Sequence, residues 1–389
     1  MRGLPMTDRL PALEGIRGLL ALYVVIGHLA ALADPSAQAG KRSASPDWLV
    51  ALISPFGHGH LAVSGFIVLS GFCLQLSVYL GNRGKMRRAG DFFRRRAVRL
   101  LPAYYACLAL SIATCYAVTE RLPGMPFRLY LPVTPENVVA HVLLIHNWRP
   151  EWMYKLNGVL WSIAVEAQIY LLFPGFVGVL HRFGRPALLV AASLIPAAML
   201  ALPGWPKLYG WYVILFAIGM AFASLAYRPP RWLVPRASFG LLLAATGLGW
   251  MAVALPARLA IPVLDLGFSV VLGGCCYAVA VAPHAWGTRL LALRPLVGLG
   301  LISYSLYLIH HPLQQWTYYL VGAEKMEAAT RLAWLTGTLP LVIGLSWVFY
   351  RTFERPFLGN RSESGQEGPR EPFPVQLPLR VAALAAEGE

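Results

Sequence analysis

The sequence predicts an all-α integral membrane protein, a bundle of about ten transmembrane helices with both termini in the cytoplasm. Composition supports this class, because 57% of the 389 residues are hydrophobic and only 13% are charged, about half the charged share of a soluble domain. Apolar stretches of about 20 residues, the length that spans a bilayer, recur along the chain. Lys and Arg are concentrated in alternate connections between these stretches.

The apolar stretches define the predicted helices in chain order. They cover residues 13–33, 61–80, 100–118, 157–179, 187–203, 209–227, 237–255, 261–282, 296–320 and 331–350. The eighth and ninth stretches have the least distinct ends. We expect one membrane-embedded domain over residues 1–356. Residues 357–389 are rich in Glu, Gly, Pro and Ser and are predicted to be a disordered cytoplasmic tail.

The distribution of basic residues sets the predicted topology. With the N-terminus in the cytoplasm, 23 of the 33 Lys and Arg residues fall on the cytoplasmic side, nine fall outside and Arg331 lies at a boundary. This bias favours cytoplasmic termini and an even number of spans. It also explains the net charge of +15 without nucleic acid as a partner, because the basic residues lie between apolar stretches.

Arg17 and His28 lie inside the first apolar stretch. Ionisable residues are costly within a bilayer, and a functional role is the default interpretation. Eleven residues make about three helical turns, so both side chains point to nearly one face, roughly 16 Å apart along the axis. A signal peptide cleaved after Ala31-Leu32-Ala33 would remove both residues and leave an odd number of spans, so we expect this stretch to be retained.

Other polar features give weaker indications. The two long outer connections, residues 34–60 and 119–156, either cover an acceptor site or are ordinary connections with interfacial Trp residues. No metal site is predicted, because His58 and His60 lack obvious further ligands. The five cysteines lie in apolar stretches without zinc-like spacing, so we expect them to be buried.

Six segments match a known pattern in the same order and at matching spacing. They are LPALEGIRGLLALYVVIGH (10–28), VLSGF (68–72), FRRRAVRLLPAYY (93–105), LWSIAVEAQIYLLFP (160–174), ISYSLYLIHHP (302–312) and YRTFERP (350–356). Together they resemble the membrane-bound acyltransferase 3 family over residues 10–356, with Glu14 at a position that is usually Asp. Members of that family O-acylate surface polysaccharides, peptidoglycan, lipids and some macrolides in bacteria.

The resemblance implies a multi-pass O-acyltransferase of the inner (plasma) membrane. Acyl-CoA, acetyl-CoA foremost, would be the donor on the cytoplasmic side, with no metal. A hydroxyl of a carbohydrate or other acceptor would be acylated on or near the outer side. Two departures stand out. Residues 62–67, AVSGFI, lack the acidic residue that the family often carries there. Some members also carry a hydrolase-like domain outside the membrane, for which this sequence has no room, so we expect the chain to work alone or with a separate partner.

His28 is the predicted catalytic centre. Histidine suits a general base for the acceptor hydroxyl, and it equally suits a transient acyl carrier. From the helix rise, His28 and His310 lie about 22 Å from the inner surface and Glu166 roughly 14 Å from the outer one, so we expect the three to gather. Glu166 then either orients His28 or pairs with an arginine. His310 is a candidate substrate contact or a packing residue, because Pro312 predicts a helix break or kink.

Arginines near the inner surface form the predicted donor site. Arg96 and Arg99 are spaced to share one helix face and, with Arg95, suit the phosphates of acyl-CoA. Arg17, near the same surface, is assigned to the catalytic set. Topology and anionic lipids offer a second explanation for the basic residues in the loop at 81–99.

Four further positions have predicted roles. Ser70 and Trp161 are candidate substrate contacts, although a Ser-Gly pair such as Ser70-Gly71 also allows helices to approach closely. Arg351 and Glu354 are expected to form a structural pair one turn apart.

A transporter or flippase of a lipid-linked or sugar substrate is the alternative to an enzyme. Buried Arg, His and Glu suit such a protein equally well. A repeated half with paired broken helices, typical of transporters, is not visible in the sequence. An inactive scaffold is a third possibility, and the sequence indicates no oligomeric state.

Overall fold

The computed structural model of the chain describes residues 10–38, 43, 45–81, 86, 88–201, 209–230, 232–234, 236–254 and 261–358. All regular secondary structure in these ranges is helical, which confirms the predicted all-α class. The α-helices are α1 (Pro11–Ala33), α2 (Pro35–Gln38), α3 (Asp47–Ile53), α4 (Gly59–Gly81), α5 (Ala89–Ala117), α6 (Pro135–Val142), α7 (Pro150–Met153), α8 (Trp161–Ala201), α9 (Tyr212–Tyr227), α10 (Ala237–Ala254), α11 (Ile261–Val281), α12 (Trp286–Leu291), α13 (Arg294–Leu301), α14 (Ser303–Leu320), α15 (Ala328–Gly337) and α16 (Leu339–Phe349).

Six helical segments of the described chain are long and apolar enough to cross a membrane. They are Pro11–Ala33, Asp47–Gly81, Ala89–Arg121, Trp161–Leu200, Ile261–Val281 and Ala328–Phe357. Helices α13 and α14, bent by 73° relative to each other, add a seventh when counted as one span, and Tyr212–Tyr227 and Ala237–Ala252 are shorter apolar helices. The chain is therefore a multi-pass helical membrane protein. The count of ten spans remains a prediction, and both termini, with residues 359–389 of the predicted tail, lie outside the described residues.

Every predicted span overlaps at least one α-helix, but three regions differ in shape from the prediction. The spans 157–179 and 187–203 belong to α8, which is interrupted at Gly184, where φ is 83° and only glycine is unstrained. The predicted span 296–320 is broken at Ile302 between α13 and α14. The last span is divided at Thr338, just before Pro340 at the start of α16, because proline lacks the N–H that would continue the helix.

Helix α1 lies at the centre of the described bundle. It packs against α4, α12, α13, α14 and α15. A Cβ atom on Gly18 would lie 2.4 Å from the Leu296 carbonyl oxygen, and one on Gly300 would lie 2.0 Å from the Glu14 carbonyl oxygen. The backbones of α1 and α13 touch because these positions are glycine, and α1 is thereby held firmly inside the protein.

Helices α4 and α9 are also in backbone contact. A Cβ on Gly71 would lie 2.2 Å from the Phe216 carbonyl oxygen, and one on Gly219 would lie 2.0 Å from the Val68 carbonyl oxygen. The close helix packing expected at Ser70-Gly71 is confirmed.

A break or a kink was the prediction at Pro312, and the break is wrong, because helix α14 continues through this residue. Proline leaves the carbonyl four residues earlier, that of Leu308, without its helical donor. The Asn157 Nδ2 atom donates to this oxygen over 3.2 Å and the Cys107 thiol over 3.1 Å. Neighbouring side chains thus replace the missing bond, as an apolar surrounding requires.

Candidate active site

Two histidines from different helices meet within the bundle. The rings of His28 on α1 and His310 on α14 have centroids 5.1 Å apart, and His310 Nε2 lies 3.2 Å from His28 Nδ1. Each Nδ1 atom also lies 3.0 Å from the carbonyl oxygen one turn earlier, that of Val24 for His28 and that of Leu306 for His310. Because a carbonyl oxygen only accepts, both Nδ1 atoms carry the proton, and His310 Nε2 accepts from His28.

The second ring nitrogen of His28 is consequently a free base. Its Nε2 atom holds the lone pair and has no hydrogen-bond partner among the described residues. His310 is fully buried, whereas His28 is half-buried. The geometry suits His28 for proton abstraction or nucleophilic attack, with His310 orienting it as a carboxylate orients the histidine of a catalytic triad.

A hydrogen-bonded chain adjoins this pair. Gln315 Nε2 donates to His311 Nδ1 over 3.1 Å, so His311 Nε2 carries the proton and donates to the Tyr130 hydroxyl over 3.0 Å. The Thr119 hydroxyl donates to Gln315 Oε1 over 2.5 Å. The His311 ring lies 5.3 Å from that of His28. Burial raises the pKa of Tyr130, so its hydroxyl stays protonated. The long connection between α5 and α8 therefore contacts the histidines.

Glu166 lies in a different cluster from His28. Its carboxylate accepts from the Ser70 hydroxyl over 3.1 Å and from the Tyr170 hydroxyl, and those two hydroxyl oxygens are 2.7 Å apart. No hydrogen bond joins Glu166 to His28 in the described structure, and His310 takes the orienting position expected for the carboxylate. Helix rise predicts the depth of a side chain, but it does not predict which neighbouring helix that side chain faces.

Three arginines come together around Cys73 of α4. Arg17, Arg96 and Arg99 all lie within electrostatic range of this thiol. The Arg96 guanidinium lies 5.8 Å from the centroid of the Tyr170 ring, which joins the arginines to the Glu166 cluster. The expectation that Arg96 and Arg99 share one face of α5 agrees with this placement.

The arginines differ in their surroundings. Arg17 Nη1 donates to both oxygens of buried Glu14, over 2.9 and 2.8 Å, and its other nitrogens have no hydrogen-bond partner among the described residues. Arg96 and Arg99 are half-buried. Arg95 is exposed, and none of the described contacts of the cluster involves it. The structure thus brings Arg17 to the predicted donor arginines and separates Arg95 from them.

Glu354 lies near the arginines around Cys73. The sequence predicts that Glu354 forms a structural pair with Arg351, and this prediction is wrong. Glu354 accepts from the Ser305 hydroxyl over 2.6 Å and lies within electrostatic range of Arg99, while Arg351 lies over the Trp347 ring at 5.2 Å. The segment Tyr350–Glu354 is a π-helical turn, which alters the spacing on which the expected pair depends.

A cavity of about 190 Å³ lies between α5 and α8 beside the arginines. Apart from Arg96 and two tyrosines, its walls are apolar. The lining residues are Phe93, Arg96, Ala97, Leu100, Leu101, Tyr104, Leu144, Ile163, Ala167, Tyr170 and Leu171. The residues that α5 contributes to the lining, Phe93 to Tyr104, cover about 16 Å of helix length.

Tyr307 lies between the Glu166 cluster and the histidines. Its ring centroid is 5.9 Å from that of His310, its hydroxyl is 2.7 Å from Ser162 Oγ, and it is within electrostatic range of Glu166. Trp161, the other candidate substrate contact, stacks on Tyr209 at 4.1 Å. Polar side chains therefore extend from the arginines to His28. In the described part of the chain, no group of three or more His, Cys, Asp or Glu is arranged to hold a metal ion.

Comparison with known sequences decides the family. The sequence model of acyltransferase 3, described as an acyltransferase domain, matches residues 10–351. The chain belongs to the acyltransferase 3 family. It is an acyltransferase that transfers groups other than aminoacyl groups, and the family resemblance drawn from the motifs is confirmed.

Several relatives share this acyltransferase 3 region. Acyltransferase MdmB of Streptomyces mycarofaciens is 27% identical over 82% of this chain and 83% of its own length. O-acetyltransferase OatA of Staphylococcus aureus is 23% identical over 80% of this chain and 52% of its own length, so the match spans about half of OatA. Regulator of hypoxia-inducible factor 1 of Caenorhabditis elegans is 25% identical over 52% of this chain and 41% of its own length. No solved structure matches the chain.

Sequence reasoning missed several residues of this candidate site. The sequence predicts no role for Asn157, Gln315 or Tyr130. All three form hydrogen bonds that support α14 and its histidines. Two adjacent glutamines in an apolar helix are a usable signal, because an amide inside a bundle needs partners on other helices. Tyr130 carries no comparable signal, since it lies in a long connection.

Proposed function

We propose that this chain is an integral membrane O-acyltransferase that moves an acyl group from cytoplasmic acyl-CoA to a hydroxyl of a carbohydrate or glycosylated acceptor. Acetyl-CoA is the favoured donor, an inference that the name of the relative OatA supports. The enzyme would work in the inner (plasma) membrane. The observation that carries the proposal is the orientation of His28, whose Nδ1 is committed to two acceptors and whose Nε2 is free.

The donor site in this proposal is the arginine group around Cys73. Arg96 and Arg99, with the unpaired nitrogens of Arg17, suit the phosphates of acyl-CoA, because guanidinium groups bind phosphate in a bidentate manner. The adjoining apolar cavity suits the thioester arm, which carries little charge. The thioester would then reach the polar side chains that lead from Glu166 and Tyr307 toward His28.

The chemistry is acyl transfer assisted by a base. His28 Nε2 takes the proton of the acceptor hydroxyl as its oxygen bonds to the thioester carbonyl carbon. The carbon–sulfur bond then breaks, and the CoA sulfur leaves with the proton that His28 holds. His310 stabilises the positive charge on His28 during this step, because its lone pair faces the Nδ1–H. The same Nε2 lone pair serves if His28 carries the acyl group transiently.

The test compares surface glycans and secreted metabolites of cells that produce the wild-type protein or His28→Ala. Mass spectrometry should detect an acetyl-sized or longer acyl increment that disappears in the variant at equal protein level. The matched control is His284→Ala, which changes an exposed histidine far along the chain and should leave the increment in place. Unchanged acylation in His28→Ala would remove His28 from the mechanism.

A further inference from the structure

A second polar cluster surrounds Asp265 on α11. This carboxylate is completely buried in a helix long and apolar enough to cross a membrane. Its Oδ1 accepts from His60 Nδ1 over 2.9 Å and from the Ser64 hydroxyl over 2.7 Å, and its Oδ2 accepts from Trp211 Nε1 over 2.9 Å. Three donors from two other regions of the chain thus converge on one carboxylate. Such a group is expensive inside a membrane, and function is its default explanation.

The carboxylate fixes the orientation of His60. Asp265 accepts the Nδ1–H, and no described residue bonds to the other ring nitrogen, Nε2, which carries the lone pair in the neutral imidazole. The His60 side chain is 19% exposed, whereas Asp265 is fully enclosed. His60 can therefore meet a ligand, and Asp265 acts through it as a positioning residue.

Aromatic side chains line the same region. Trp161 stacks on Tyr209 with centroids 4.1 Å apart, and the Tyr209 ring lies 5.0 Å from that of Trp211. Fully buried Tyr212 lies beside Ser64 and within electrostatic range of Asp265, so its ring belongs to the same cluster.

The Asp265 cluster lies level with the segment of α1 that precedes His28. A Cβ on Gly65 would lie 2.9 Å from a Leu20 methyl carbon, and one on Gly27 would lie 2.9 Å from the Phe56 carbonyl oxygen. His60 falls between Phe56 and Gly65 in sequence, so it is opposite the part of α1 between Leu20 and Gly27. Tyr212 and Tyr209 are both within electrostatic range of Tyr307, whose ring contacts that of His310.

We propose that His60, positioned by Asp265, and the aromatic wall of Trp161, Tyr209 and Trp211 form the binding site for the hydroxylated acceptor. The site fits the ring of a carbohydrate. His60 Nε2 accepts a hydrogen bond from a sugar hydroxyl, and the apolar face of the sugar ring packs against aromatic rings, which combine large contact area with polar edges. This assignment rests on the proposed function, because it identifies the binding site for the acceptor of that reaction.

Ser64 belongs to the same cluster as His60. Its hydroxyl donates to Asp265, so α4 supplies two of the three donors to this carboxylate.

Binding of defined glycosides to the purified full-length chain in nanodiscs tests this assignment. The probes are methyl β-D-glucopyranoside, methyl β-D-galactopyranoside and methyl N-acetyl-β-D-glucosaminide, titrated by saturation-transfer difference NMR. We expect at least one probe to bind the wild type and to bind His60→Phe about fivefold or more weakly, the effect of one lost hydrogen bond. His60→Gln, which retains an acceptor oxygen, should recover part of the affinity. His284→Phe is the matched control and should bind as the wild type does.

The Asp265→Asn variant separates positioning from simple packing. An amide has one acceptor oxygen where the carboxylate has two, so Asn cannot accept from His60, Ser64 and Trp211 together, and the ¹⁵N shifts of His60 should change. Weakened glycoside binding with this change, in a variant that remains monodisperse, supports the assignment. Equal affinity in wild type, His60→Phe and Asp265→Asn would overturn it, as would no binding of any probe to the wild type.

His28→Gln distinguishes this failure from failure of the proposed function. It should bind the glycosides as the wild type does while losing acyl transfer. Transfer that depends on His28 but is unaffected by His60→Phe would overturn the acceptor site and leave the proposed function intact.

Discussion

Backbone carbonyl oxygens set the protonation pattern of the two histidines that face each other. Val24 and Leu306 each accept from an Nδ1 atom on their own helix, so the Nδ1–H of His28 points at His310 and its Nε2 is left without a partner among the described residues. The spacing of Arg17 and His28 predicts that His28 lies within the membrane. It does not predict His310 as the orienting group, because that contact joins α1 to a helix nearly 300 residues later in the chain, and helix rise gives depth without direction.

Removing the lone pair of His310 Nε2 that faces His28 should slow the acyl-transfer step. His310→Leu is expected to lower kcat for acyl transfer by about 10- to 100-fold, near the lower range of effects of acid–base groups, with little change in KM for the donor. His310→Gln, which can still present an oxygen to His28 Nδ1, should lose less. Steady-state CoA release measures both, and equal losses would argue against an orienting role.

Donor binding should depend on which arginine is changed. Arg96→Gln is expected to raise KM for acetyl-CoA by about tenfold, because a charge-assisted hydrogen bond to phosphate is lost. Arg94→Gln removes an exposed arginine two residues away and should leave KM unchanged. The same change in both variants would indicate that bulk surface charge, and not a defined site, attracts the donor.

Among the helices, α14 shows how a membrane helix tolerates proline. Pro312 in the sequence suggests a break, yet Asn157 supplies the missing donor and the helix continues with both of its histidines. The local sequence around Pro312 cannot reveal this, since the compensating amide is more than 150 residues away. The bends at Ile302 and Thr338 likewise depend on how neighbouring helices pack.

Asn157 can be tested together with Pro312. Asn157→Leu should destabilise the protein by about 1–3 kcal/mol, because the buried Leu308 carbonyl then loses its amide donor. Adding Pro312→Ala restores a backbone N–H to that carbonyl and should recover much of the loss. Thermal unfolding of the purified protein in detergent measures the effect, and a double variant no more stable than Asn157→Leu would contradict the assignment.

The connection before α8 carries a pH-sensitive pair. The rings of His141 and His146 are fully buried and stacked at 3.8 Å. Burial lowers the pKa of His141 to about 4 and that of His146 well below its ordinary value. The unfolded chain therefore binds more protons than the folded one between about pH 6.5 and 4, so stability should fall as the pH falls through this window.

His146→Phe tests this pH dependence. Phenylalanine keeps a ring for stacking and removes a group that must stay neutral when buried. The melting temperature of the variant should fall less than that of the wild type between pH 7 and pH 4. Parallel curves for the two proteins would show that other groups govern the acid sensitivity.

At the scale of the whole molecule, the sequence predicts the class well and the site only in part. Apolar stretches reveal the membrane helices, because the length and the composition of a segment decide whether it can span a bilayer as a helix. Two of the predicted donor arginines, Arg96 and Arg99, lie on one helix face as expected. Glu166 lies apart from His28, Arg95 from the other arginines and Glu354 from Arg351, because their neighbours are set by interhelical packing. The Asp265 cluster has no signal in local spacing, as its members come from three separate segments.

The central claim is that His28 transfers an acyl group supplied from the cytoplasmic face. The most direct measurement uses inverted membrane vesicles, in which that face is accessible, with radiolabelled acetyl-CoA added outside. Wild type and His284→Gln should transfer label to an alkali-labile ester, and His28→Gln at equal protein level should transfer almost none. Label transfer by His28→Gln at the wild-type rate would contradict the account.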